Sequence, residues 1–246
     1  MNTNTRFPIA HSFPFPLRLP LAGLALAMAA LAPLSVHAGT ETRSVGDFDA
    51  IALGGSFNLN VSQGAQASVS VQADDKLLPL IETVVDNGRL EIRWKRGTQT
   101  RGWNHGDVKV TVVTPTLRGL STAGSGDIQL QAFTTPALKL SIAGAGNAVL
   151  TALTTDELGV SVAGSGDVRG AGKAGKLAIS IAGSGDVKLI EMKSDDATVK
   201  ISGSGSATVN AGKTLAVSIA GSGDVTYSGD AAVKSSVAGS GSVRKK

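Results

Sequence analysis

The sequence predicts an all-β fold built as a parallel β-solenoid, and three observations carry that prediction. First, a short phrase recurs seven times in the C-terminal half. It begins at Ser121-Thr122-Ala123-Gly124-Ser125-Gly126-Asp127-Ile128 and returns at Gly144, Gly164, Gly183, Gly203, Gly221 and Gly239, with spacings of 20, 20, 19, 20, 18 and 18 residues. A nearly fixed period marks units that bury their apolar faces only by stacking on one another. Second, large apolar residues alternate with small or polar ones ahead of each phrase. Leu138-Lys139-Leu140-Ser141-Ile142-Ala143 shows this period of a half-buried strand. Third, Gly-x-Gly follows, where absent side chains permit positive φ and a sharp corner. Units of 18–20 residues hold two or three short strands, too few for a four-stranded blade. No 3.6-residue periodicity supports helix.

Taken in order, residues 1–38 read as an export signal. Arg6 and Arg18 give a positive start, Leu21 to Leu34 is an apolar run too short for a membrane span, and Val36-His37-Ala38 resembles a cleavage site. The mature chain is expected to begin near Gly39, outside the cytoplasm and without a membrane span. Residues 39–246 are read as one domain, with an N-terminal β cap over 39–116 and the repeat solenoid over 117–246.

Within the cap, Phe48 to Leu53, Phe57 to Val61 and Ser68 to Val71 alternate as strands. Asp74 to Glu82 is the one helical candidate, limited by Pro79 to about one turn. Val84 to Ile92 reads as a hairpin about Asn87-Gly88. A loop over 95–106 carries Arg96, Arg101, Trp103 and His105, and Val108 to Val112 returns to strand.

Composition narrows the function. There is no Cys, which excludes disulfides, thiolate metal sites and a lipidated N-terminal Cys. The formal charge of +4 falls to about +2 once Arg6 and Arg18 are removed with the signal, too balanced for reading phosphates by bulk charge. No nucleic-acid partner is therefore expected.

Several stretches in order carry a resemblance. They are Val45-Gly46-Asp47-Phe48-Asp49-Ala50-Ile51, Gly55-Ser56-Phe57-Asn58-Leu59-Asn60-Val61, Asp74-Asp75-Lys76-Leu77-Leu78-Pro79-Leu80-Ile81 and the hairpin Asn87-Gly88-Arg89-Leu90-Glu91-Ile92. The serial Gly-Ser-Gly-Asp turns and Gly221-Ser222-Gly223-Asp224-Val225-Thr226-Tyr227-Ser228-Gly229 complete the set. With these the chain resembles the autotransporter adhesin head domain family, the head GIN domain, over nearly all its mature length. The resemblance implies a right-handed parallel β-helix and an envelope or surface location. The repeats give it about seven coils and the segment before them an antiparallel cap, and the expected function is an exported envelope module, binding or scaffolding without catalysis, with an envelope glycan or another envelope protein as partner.

The candidate site residues fall into three sets. In-register stacking sets Asp127, Asn147, Asp167, Asp186, Ser206, Asp224 and Ser242 above one another, about 4.8 Å apart. Each can accept a turn N–H through a side-chain oxygen, so turn capping is the plainest role. Calcium is the sharper reading, but Asp follows the second Gly directly and no Glu completes a six- to eight-oxygen set. No metal or cofactor is expected. The pair Asp167/Asp186 would suit a polysaccharide-active β-helix enzyme, although that chemistry also asks for a cleft and one acid of raised pKa. The second set is the loop, whose Arg96, Arg101, Trp103 and His105 could contact anionic glycans. The third is a flat strip of small residues, including Ser141/Ala143, Ser161/Ala163, Ser180/Ala182 and Ser218/Ala220, able to pack on another flat surface.

Overall fold

The computed structural model describes residues 38–98 and 108–246. The export segment before Ala38, and Arg101, Trp103 and His105 of the loop, lie outside the described residues.

The repeats wind as parallel coils. Strand β8 (Gly119–Gly124) turns at its Gly corner into β9 (Ile128–Leu130). The chain then runs through β10 (Phe133–Gly144), β11 (Ala148–Gly164), β12 (Val168–Gly183), β13 (Val187–Gly203) and β14 (Ser206–Gly221). It ends in β15 (Asp224–Ser228), β16 (Ala232–Gly239) and β17 (Ser242–Lys245). Each long element spans from one Gly corner to the next, and neighbours pair in parallel with corner on corner: Gly124, Gly144, Gly164, Gly183, Gly203, Gly221 and Gly239 form one file. Seven corners bound six complete turns, close to the seven coils read from the sequence.

The alternation explains the core. Leu140, Val160, Ile179, Val199 and Val217 stack in one inward file, and Ile142, Val162, Ile181, Ile201 and Ile219 in the next, all buried. Each such side chain contributes about 1.5–3 kcal/mol on burial. One inward file mixes hydroxyls with alanines: Thr135, Thr155 and Ser194 share it with Ala174 and Ala211, and the three hydroxyls donate to the carbonyls of Leu117, Pro136 and Asn210. These groups are buried with their hydrogen bonds satisfied.

The two corner glycines differ in cause. The first has positive φ, 131° at Gly164, a conformation that L side chains resist. The second lacks positive φ, yet a Cβ on Gly166 would lie 2.1 Å from the Gly146 carbonyl oxygen of the preceding coil. The sequence reading gave both glycines to bending; only the first bends, and the second lets coils approach.

The N-terminal segment has the antiparallel pairs expected of a cap: β1 (Ala38–Arg43) with β4 (Ser68–Asp74), and β4 with β7 (Lys109–Thr114). The hairpin joins β5 (Ile81–Asp86) to β6 (Arg89–Trp94), with Asn87 and Gly88 both at positive φ. The helical candidate is a single 3-10 turn, Leu78–Leu80. Beyond the cap the segment also extends the solenoid. Strands β2 (Ala50–Gly54) and β3 (Asn58–Gln63) form an entry coil that pairs in parallel with β8 and β9 on one side. On the other side it pairs in parallel with β6 and β7. The chain therefore makes the entry coil, moves outward to build the coil above it, then crosses back to start the repeats. The Gln63 side chain secures that crossing, donating to the Pro115 and Thr134 carbonyls and accepting from the Thr134 N–H. Phe57, fully buried, packs against Trp94 with ring centroids 5.0 Å apart.

Candidate functional site

The Gly-Ser-Gly-Asp corners bring the predicted Asx residues into one column. Asp127 Oδ1 accepts the Asn147 N–H at 2.8 Å, Asn147 Oδ1 accepts from Asp167 at 3.1 Å, and Asp167 Oδ1 accepts from Asp186 at 3.0 Å. Asp186 Oδ1 accepts the Ser206 N–H at 3.2 Å, and Asp224 Oδ1 that of Ser242 at 3.0 Å. The expected acceptor role is present, but the N–H belongs to the next coil, 18–20 residues on, so the side chains tie coil to coil. Parallel strands leave that amide without a ladder partner at the bend, and the Asx oxygen supplies one.

This use limits the column chemically. One oxygen of Asp167 and of Asp186 is held by a backbone donor, and Asp186 Oδ2 also meets Lys188 Nζ at 3.2 Å. The Ser242 hydroxyl bond to Asp224, helped by that residue's N–H and by Arg244, holds the Asp224 carboxyl below the usual carboxylate range. Among the described residues no group of three or more His, Asp or Glu is placed to hold a metal ion.

The strip of small residues becomes a flat sheet face. Its middle row runs Ser121, Ser141, Ser161, Ser180, Lys200, Ser218, and the next row Ala123, Ala143, Ala163, Ala182, Ser202, Ala220. A shallow depression of about 510 Å³ lies in it, floored by Gly159, Ser161, Ala178 and Ser180 and flanked by Lys139 and Lys200. The sequence showed the strip but not the depression, which exists because Gly159 and Ala178 fall in register between Lys139 and Thr198.

Compared with protein families, residues 47–231 match the model described as "Putative auto-transporter adhesin, head GIN domain". The chain belongs to this family. As a head GIN domain it has solved structural relatives. A "putative adhesin" from Bacteroides fragilis is 25% identical with a TM-score of 0.80, covering 86% of this chain and 98% of that one. A "putative lipid binding protein" from Parabacteroides distasonis is 26% identical with a TM-score of 0.70 and the same coverage. A "putative adhesin" from Parabacteroides merdae, 23% identical with a TM-score of 0.64 over 85% of this chain and 96% of that one, shares the fold. No curated protein matches the chain. In this head GIN domain Arg96, just after β6, is exposed. No helix among the described residues is long and apolar enough to cross a membrane.

Proposed function

We propose that the protein is an exported, adhesin-like module of the cell envelope that binds through the flat small-residue face and carries out no catalysis. The observation that carries this reading is the depression floored by Gly159, Ser161, Ala178 and Ser180, within a face of mostly Ser and Ala rows with Lys139 and Lys200 at the rim of the depression. Family membership supports the adhesin-like role. The mature protein begins near Gly39, and its partner is an envelope glycan or envelope protein. A polysaccharide-active enzyme is disfavoured by the coil-to-coil bonds that occupy Asp167 and Asp186.

A glycan-array experiment with wild type and Ser161→Trp, run beside a reducing-sugar release assay, tests the reading. Binding lost in Ser161→Trp without sugar release supports it. Turnover abolished by Asp167→Asn overturns it, as does binding that Ser161→Trp leaves intact.

A further inference from the structure

Charges on the outside of the coils follow two different rules. Along the ridge just before the small-residue face, opposite charges sit in register: Glu157 beside Lys176, and Lys176 beside Asp196. Lys176 Nζ reaches Glu157 at 3.2 Å, and Lys213 Nζ reaches Asp195 at 2.9 Å. Strands β12 and β13 do the reverse on either side of the opposite bend. There Arg169 is in register with Lys188, and Lys173 with Lys193. Like charges directly opposed on adjacent strands repel. Their neighbours in the same rows, Val149, Thr208, Thr154 and Asn210, carry no charge to relieve them. Lys188 has Asp186, and Glu191 lies at the bend beside Ala171. Arg169, Lys173 and Lys193 have no ion-pair partner among the described residues.

A chain that neutralises charge on one ridge and stacks it on another is meeting a demand other than its own stability. We propose that Arg169, Lys173, Lys188 and Lys193 form a binding site for a linear acidic polysaccharide, whose carboxylates bridge the two coils at the bend. The cations repeat at the coil spacing of about 4.8 Å, so successive anionic groups of an extended polymer meet successive coils. Arg169 offers a planar fork suited to a carboxylate. No aromatic side chain stands in these rows to stack a base, which sets the site apart from single-strand nucleic-acid grooves. The site lies off the small-residue face and does not depend on its role.

The test measures binding of the full-length protein to polygalacturonate, with dextran, duplex DNA and phosphatidylglycerol vesicles as parallel probes. Polygalacturonate should bind, dextran should not, and Lys173→Gln/Lys193→Gln should weaken binding at least tenfold. A second variant separates this from a folding defect. Lys173→Glu makes an opposite-charge pair with Lys193, so it should abolish binding while raising the melting temperature by about 1 °C. Unchanged binding in the double Gln variant, equal binding of dextran, or tighter binding of DNA or vesicles than of polygalacturonate overturns the proposal. So does a Lys173→Glu protein that binds as wild type.

Discussion

The entry region and the repeats build the same cross-section by opposite means. In the repeats each coil leans on the one 18 to 20 residues back, through stacked glycine corners and, at five of the six steps, an Asx bond. The entry coil leans on partners far along the chain: Ser121 donates to the Ile51 carbonyl across 70 residues, and Gln131 to Asn60 across 71. Its corner keeps the positive-φ Gly55, over which Gly124 stacks, but the space a Gly55 Cβ would occupy is bounded by Phe57 and Trp94 side chains rather than by glycine backbone. Regular stacking makes small residues sufficient. A coil enclosed on one side by the non-repeating strands β6 and β7 needs large side chains to fill irregular space there.

The contrast predicts where each region breaks. Phe57→Ala should be the most damaging, about 3–5 kcal/mol in urea unfolding, because it removes a fully buried ring packed on Trp94 and leaves a large void. Gly164→Ala should follow at about 3 kcal/mol, since its Cβ would sit 2.3 Å from the Gly144 carbonyl oxygen at a φ of 131°. Gly55→Ala has comparable φ but meets only side-chain atoms at 3.1 Å, so it should cost measurably less than Gly164→Ala in the same assay. Equal costs would remove the distinction between the two kinds of corner.

Smaller effects sharpen the Asx column. Asp186→Val leaves the Ser206 N–H without its acceptor and should cost on the order of 1 kcal/mol, while Asp186→Asn should lie within about 0.5 kcal/mol of wild type. Thermal melts of both variants with and without millimolar calcium check this; a calcium-dependent rise in wild type, absent from the Asn variant, contradicts the bonding role. The smallest effect is in acid. Because the folded state lowers the Asp224 pKa, its contribution is present above the ordinary carboxylate pKa and is lost as pH falls through the folded value. Ser242→Ala removes the main cause, so its melting temperature should fall less steeply than wild type between pH 4 and pH 2.

Much of this was legible in the sequence. Strand parity from Leu138 to Ile219 places each core residue, and Asn87-Gly88 marks its hairpin, because both signals are local. Three features were not. The entry coil's position between β6 and β8 depends on pairings that no short window contains. The burial of Thr135 and Thr155 was not assigned, because a buried hydroxyl and a surface one look alike until their acceptors are known. The second glycine of each corner reads as part of the bend, whereas its cause is a carbonyl oxygen in another coil. For the candidate site, the sequence named the Asx column and the small-residue strip, but not which N–H the column serves or where the strip is hollowed.

The crossing of the chain over its own entry coil also sets a folding order. Closing a long loop costs more chain entropy than closing a short one, and non-local pairing slows folding. Coils 18–20 residues apart can therefore zip from any nucleus along the repeats. Strands β2 and β3 cannot complete their pairing until β6, β7, β8 and β9 have all been made. During synthesis from the N-terminus, the first strands made wait longest for their neighbours. The small-residue face can thus be assembled across the repeats before the end that seals it has closed.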